Sequence, residues 1–153
     1  MRLIHWMVYE WYSSYKKILA LFLDDDIEMI VERGGKERTD IKKTSQTLIV
    51  FPDLRTMANT IDMNTKEQKT TLILHGQSTK VQRQKAFRSI KKGEIEKIIC
   101  TGSQVFHDRA HLEKIFITDS HKRYYKSQQE PRYHTSDVLR FLAQITNATF
   151  DSV

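Results

Sequence analysis

Glycine is scarce in this chain: there are five in 153 residues, and none before Gly34. A loop that wraps the phosphates of a nucleotide needs the pattern Gly-x-x-x-x-Gly-Lys-Ser/Thr. Its glycines let successive backbone N–H groups close around the phosphates, while the Lys and the hydroxyl hold the terminal phosphate and its magnesium ion. No such pattern occurs. Gly34-Gly35-Lys36 is the one Gly-Lys pair, but it lacks the first glycine at the required spacing and has Glu37 in place of the hydroxyl. It reads as a surface turn. Cys100 is alone, which excludes an internal disulfide, and its setting in an apolar run reads as a buried thiol. No apolar run approaches the roughly 20 residues needed to cross a bilayer. Tyr9, Glu10 and Trp11 interrupt the apolar N-terminus, so it has no signal-peptide core. The expectation by elimination is a cytoplasmic protein with no membrane partner. His107 and His111 are spaced i, i+4, yet no Glu or Cys completes a zinc signature, and Asp24-Asp25-Asp26 reads as a solvated turn. No metal and no other cofactor is expected.

Positive charge is in surplus. A net charge of +6 and a pI near 9.4 favour a polyanionic partner. The length suits one domain. Short apolar runs at 47–51, 71–75, 97–101 and 114–118 have the length of fully buried strands. Between and after them, helical spacing predicts helices over 79–92 and 133–146. In the first, Val81, Phe87 and Ile90 should share a buried face with Gln84, and Gly93 should stop the helix. In the second, Val138, Leu139, Leu142 and Ile145 should be buried, with Thr135 or Ser136 near its start. Strands alternating with helices give an α/β fold with a mainly parallel sheet flanked by helices. Residues 7–23 carry enough apolar side chains for a helix packed on that sheet, and 32–45 is polar around Gly34 and Gly35. The reading is therefore an N-terminal helix and polar insertion over 1–46, followed by the α/β unit over 47–153.

The densest signal lies in residues 114–137, KIFITDSHKRYYKSQQEPRYHTSD. An apolar run ends in Thr118, Asp119, Ser120 and His121. Tyr125-Lys126 follows, and Arg132-Tyr133-His134-Thr135-Ser136-Asp137 opens the next helix. This segment resembles the ATPase-motif region of the primosomal replication-restart helicases of superfamily 2, the primosomal protein N′ family. That family reads Asp-Glu-Glu-His, then Tyr-Lys, then Arg-Tyr-His-Ala-Arg-Asp. Upstream, 47–54 resembles its strand ending in Pro-Glu, with Asp53 at the Glu. Residues 71–87 resemble its Leu-His strand end, turn and helix, with His75, Arg83 and Phe87 in register. Residues 93–106 resemble Gly-Glu, a strand and Gly-Thr-Arg-Ser-Ala-Leu-Phe, keeping Thr101, Ser103 and Phe106 but with Cys100 for Gly and Gly102 for Arg. The resemblance covers about two thirds of the chain, in the family's order.

It implies the first RecA-like lobe of a motor that uses ATP and Mg2+ to unwind DNA 3′ to 5′ at stalled forks and to load the replicative helicase. The departures from the family fall on the chemistry. Thr118 offers a neutral hydroxyl where an Asp orients the magnesium ion, and hard divalent cations favour carboxylates. Asp119 stands at the water-activating Glu on a shorter side chain, and a misplacement of about 1 Å can cost on the order of 100-fold in rate. Leu3-Ile4-His5 resembles the strand end before the phosphate loop, and Val8-Tyr9 or Trp11-Tyr12 resembles the residues after that loop, leaving no room for it between. The expectation is a degenerate, truncated lobe. Asp119 and His121 would be remnants of the acidic motif, with Thr118 and Ser120 altered, and no autonomous ATPase or helicase activity would remain.

Binding of single-stranded or forked DNA can outlast the phosphate loop, because motor lobes hold the backbone through hydroxyls, N–H groups and cations at loop ends, with little sequence readout. The resemblance assigns that role to Asp53, Arg55, Thr101, Ser103, Lys122, Arg123, Tyr125, Lys126 and Arg132. Two alternatives stand beside it: a noncatalytic module docking on replication-restart or repair proteins, and one fragment of a split helicase gene. A downstream reading frame encoding a second lobe would select the last.

Overall fold

The computed structural model describes residues 2–10, 17, 21, 44–61, 70–107, 109, 111–121, 123–128 and 131–153. Five strands, β1 (Gln46–Phe51), β2 (Thr71–Leu74), β3 (Lys97–Thr101), β4 (Leu112–Ile117) and β5 (Thr149–Ser152), form one sheet in the order β2-β3-β1-β4-β5. Every pairing is parallel, with Phe51 opposite Thr101 and Val50 opposite Ile117. Helices α1 (Arg2–Glu10), α2 (Leu54–Thr60), α3 (Lys80–Lys91) and α4 (Thr135–Thr146) flank it. This α/β arrangement is consistent with a RecA-like lobe.

Alternation along the strands divides the core between two faces. Leu48, Val50, Ile98, Cys100, Ile115 and Ile117 point into the larger cluster, where they meet side chains of α1, α3 and α4. Phe51 and Ile99 point the other way and pack with Met57 of α2. Each fully buried Leu, Ile or Met contributes about 1.5–3 kcal/mol, so a sheet apolar on both faces is held only when both are covered. At the amino end of the sheet, Gln46 is fully buried. Its Nε2 donates to Ile90 O (2.9 Å) and Ile95 O (3.0 Å), and its Oε1 accepts from His111 N (3.2 Å). A buried amide satisfied at both ends ties α3, the approach to β3 and the approach to β4 together.

Several expectations are corrected at the level of elements. β5 and α2 were not foreseen, and β4 begins two residues earlier than the apolar run suggested. Thr79 caps α3 through a capping box with Gln82, but Val81 is 74% exposed and Ala86 takes the buried place beside Ile90. α4 begins at Thr135, two residues later than expected but with Thr135 and Ser136 near its start as read; His134 is its N-cap, and Asn147 ends it with φ 58 in the left-handed region. α1 starts at Arg2, so Leu3-Ile4-His5 is helical and supplies no strand end. Its Leu3 and Met7 are buried, and Trp6 stacks on Phe141 of α4 with centroids 4.4 Å apart, so α1 packs on α4 within the main core. Lys17 and Leu21 are also helical. Asp24 to Asp26, the Gly34-Gly35-Lys36 turn, most of the polar segment 32–45 and Lys122 lie outside the described residues. No helix among the described residues is long and apolar enough to cross a membrane.

Candidate nucleic-acid interface at the carboxyl edge

Because all five strands are parallel, their carboxyl ends share one edge. From β1 the chain turns into α2 on one face and crosses toward β2. From the neighbouring β4 it turns, by way of a 3-10 turn at Arg123–Tyr125, into α4 on the other face and reaches β5. Open α/β sheets place their ligands where adjacent strands part in this way. The structure brings Asp53, Thr101, Ser103, Thr118, Asp119, Ser120 and His121 to this edge.

Their side chains have different occupations. Asp53 is the N-cap of α2, its carboxylate accepting from Thr56 N (2.8 Å) and Thr56 Oγ1 (3.0 Å). Arg55 is exposed in the first turn of α2. Thr101 is buried at the end of β3, whereas Ser103 is exposed on the 3-10 turn Gly102–Gln104. A Cβ on Gly102 would stand 3.1 Å from Thr135 Oγ1 and 3.2 Å from Tyr125 Cδ1, so the turn approaches its neighbours closer than most side chains allow. Thr118 donates its N–H to Val50 O at 3.0 Å, which joins β4 to β1 at their very ends. Asp119 has φ 49, a left-handed conformation that Asp tolerates better than most residues. Its N–H donates to Val153 O at 2.6 Å. Ser120 is half-buried and His121 exposed on the following turn.

Tyr125 departs from its expected role. It is 1% exposed, and its hydroxyl lies 2.9 Å from Val50 O and 2.7 Å from Thr118 O. Burial above all pushes the phenol's pKa up. A ring held in this way is tied to the carboxyl ends of β1 and β4 and offers no face to a base. Its neighbour Tyr124 is 71% exposed, flanked by exposed Arg123 and Lys126. Adjacent tyrosines are indistinguishable in sequence; the 3-10 turn decides which points inward.

Beyond the turn, Lys126 forms an antiparallel bridge with His134, and Ser127 N donates to Tyr133 O at 2.8 Å. This brings Lys126, Arg132, Tyr133, His134, Ser136 and Asp137 around an open cleft of about 430 Å³. Arg132 is exposed. His134 Nδ1 lies 2.6 Å from Ser136 Oγ, and Tyr133 packs edge-on to Phe106 with its phenol pushed up to about 12 by burial. Lys126, Arg132, the His134 imidazole and the Ser136 hydroxyl are groups that can hold a phosphodiester backbone, and the exposed Asp137 carboxylate on the same cleft opposes them. The sequence pattern places Ser136 near the helix start but assigns it no site role, since only the bridge between residues 126 and 134 brings it to the cleft.

Elsewhere, Cys100 is buried in β3 with its thiol pushed up to about 12 by burial. His107 and His111 share no helix face. His107 is buried and stacked on Phe87 at 5.1 Å, and His111 pairs with Glu113 at 3.2 Å. Among the described residues no cluster of three His, Cys, Asp or Glu could hold a metal ion.

No protein-family model matches the chain. The replication restart protein PriA of Haemophilus influenzae is 27% identical to it over 108 residues. The alignment covers 70% of this chain and 15% of that protein, so the chain spans under a sixth of its relative's length. Over most of its length, then, the chain is similar to a short segment of a replication restart protein.

Proposed function

We propose that this chain is a degenerate RecA-like lobe of the replication-restart helicase type that holds single-stranded DNA along the carboxyl edge of its sheet, without sequence preference and without hydrolysing ATP. The carrying observation is the turn at Arg123–Tyr125. By burying Tyr125 it presents Arg123, Tyr124 and Lys126 outward, beside the cleft that Arg132 lines. A cationic track with an exposed ring is what unspecific single-strand binding requires, since every base has a face to stack. Ser103 and Arg55 extend the track toward β3 and α2. The similarity to a replication restart protein supports the DNA reading and suggests that replication-restart proteins are its partners.

Residues at the positions of the family's motifs serve structure in this reading. Asp53 caps a helix, Thr118 closes the strand pair, and Tyr125 bonds the carboxyl ends of β1 and β4, so the edge keeps its shape without nucleotide. The sequence holds no phosphate-loop pattern to wrap a triphosphate.

Anisotropy of a labelled oligothymidylate tests the proposal. Binding should weaken steeply with salt as counterion release is lost. Tyr124→Ala should cost about 1–3 kcal/mol, the value of one stacked base, while the fold stays intact. Equal affinity of wild type and Tyr124→Ala would reject the track. In calorimetry, ATP with magnesium should bind no tighter than millimolar; a micromolar dissociation constant would reject the degenerate reading.

A further inference from the structure

α3 has a second feature that the carboxyl edge does not use. Its sequence, KVQRQKAFRSIK with Lys92 as C-cap, carries cations at Lys80, Arg83, Lys85, Arg88, Lys91 and Lys92 and no acid. At 100° per residue, Val81, Lys85, Arg88 and Lys92 fall within about 60° of arc, on the side turned away from Ala86 and Ile90. All four are exposed, and Ala86 and Ile90 are buried in the main core. From Lys85 to Lys92 the stripe runs roughly 10 Å along the helix axis at 1.5 Å per residue.

We propose that this outer face of α3 docks the phosphate backbone of double-stranded DNA. The chemistry favours a polyanion whose charges are displayed at a regular spacing. It disfavours an acidic protein, because protein interfaces are anchored by buried aromatic and apolar residues and their centres are depleted of charge. The stripe has only Val81 of that kind. It also disfavours a single strand, which needs aromatic platforms; none of the exposed residues of α3 is aromatic, in contrast to the Arg123–Lys126 turn. Phosphate contacts on a duplex need only cations at the surface and fix orientation without reading sequence. The amino end of α3 lies at the carboxyl edge, just past β2, so a duplex along the stripe would run from that edge toward the amino end of the sheet. This inference goes beyond the proposed function and does not require it, since a duplex with no single-stranded part is the probe.

The test is anisotropy of a short, blunt-ended, labelled DNA duplex and, in parallel, of oligothymidylate, for the full chain and the triple variant Lys85→Ala, Arg88→Ala, Lys92→Ala. The variant should bind the duplex roughly tenfold more weakly at low salt, and its slope of log K against log salt should be shallower by about 2.7, three contacts at about 0.9 each. Its oligothymidylate affinity should be unchanged. Unchanged duplex affinity and slope, or an equal loss toward both probes, would overturn the proposal, the latter by pointing to net charge alone. Tighter binding of a polyglutamate peptide than of the duplex, lost in the variant, would also overturn it, in favour of an acidic protein partner. Alanine favours helix, so the variant should keep its far-UV circular dichroism. Should it unfold, the same three positions changed to Gln carry the same expectations.

Discussion

Tyr125 holds the ends of β1 and β4 together because a single phenol hydroxyl reaches two main-chain carbonyls. Val50 O also accepts from Thr118 N, so removing the phenol leaves it a partner, whereas Thr118 O is exposed to the loss. Tyr125→Phe should therefore cost about 0.5–1.5 kcal/mol, the net worth of a hydrogen bond to a part-buried carbonyl, and urea unfolding should show it. Tyr124→Phe should stay within about 0.5 kcal/mol, as an exposed substitution does. His107 behaves differently. Burial first, and then the charge of Arg109, hold its pKa well below the ordinary histidine value. The unfolded chain therefore takes up a proton near pH 6.5 while the folded chain resists it. This contribution to stability is complete above about pH 6.5 and is lost as pH falls toward the depressed folded value. In His107→Phe, which keeps a ring against Phe87, the loss of stability between about pH 6.5 and 5 should be shallower than in wild type by urea midpoints. Parallel pH profiles would show that other groups govern the acid limb.

At the scale of elements, the sequence was legible where burial leaves a continuous apolar run. Residues 97–101 are β3 without adjustment, and 47–51 and 71–75 miss β1 and β2 by one residue, because strands covered on both faces have no polar alternation to confuse the reading. β5 was invisible for the opposite reason: Thr149, Asp151 and Ser152 are exposed, and Phe150 alone is apolar. α2, with Met57 its one buried residue, is too short to show a period. Val81 looked like a core position because it is aliphatic and in phase with nothing better, yet Ala86 and Ile90 define the face. Most residues of the carboxyl edge could be placed from strand ends alone. Inward and outward pointing within the turn at Arg123–Tyr125, and the cleft formed when residues 126 and 134 bridge, depend on contacts that no local pattern encodes. Local chemistry does account for the start of α3. Thr79 Oγ1 accepts from Gln82 N while Gln82 Oε1 accepts from Thr79 N, and Thr79→Ala should cost about 1 kcal/mol. A shift in melting temperature should report it, and no shift would mean that packing through Ile90 alone sets where α3 begins.

For the whole molecule, the question is whether the N-terminal segment and the sheet are one cooperative body. Sequence divides them at residue 46, because polar residues separate the first apolar stretch from the first strand. The structure joins α1 to the rest by packing: Met7 is fully buried, Leu3 nearly so, and Trp6 lies flat on Phe141 of α4, which itself covers β4. If that contact is part of the same core, losing it should be felt everywhere. Met7→Ala should destabilise the protein by about 2–5 kcal/mol, the transfer and cavity cost of a buried Met. With Trp11 replaced by Phe, the fluorescence of Trp6 reports α1 while far-UV circular dichroism reports the α/β body. In urea the two signals should unfold with one midpoint and one slope, as a two-state domain requires, and Met7→Ala should move both together. An early fluorescence transition, with the circular-dichroism midpoint unmoved by Met7→Ala, would instead make α1 an appendage on a sheet that folds without it.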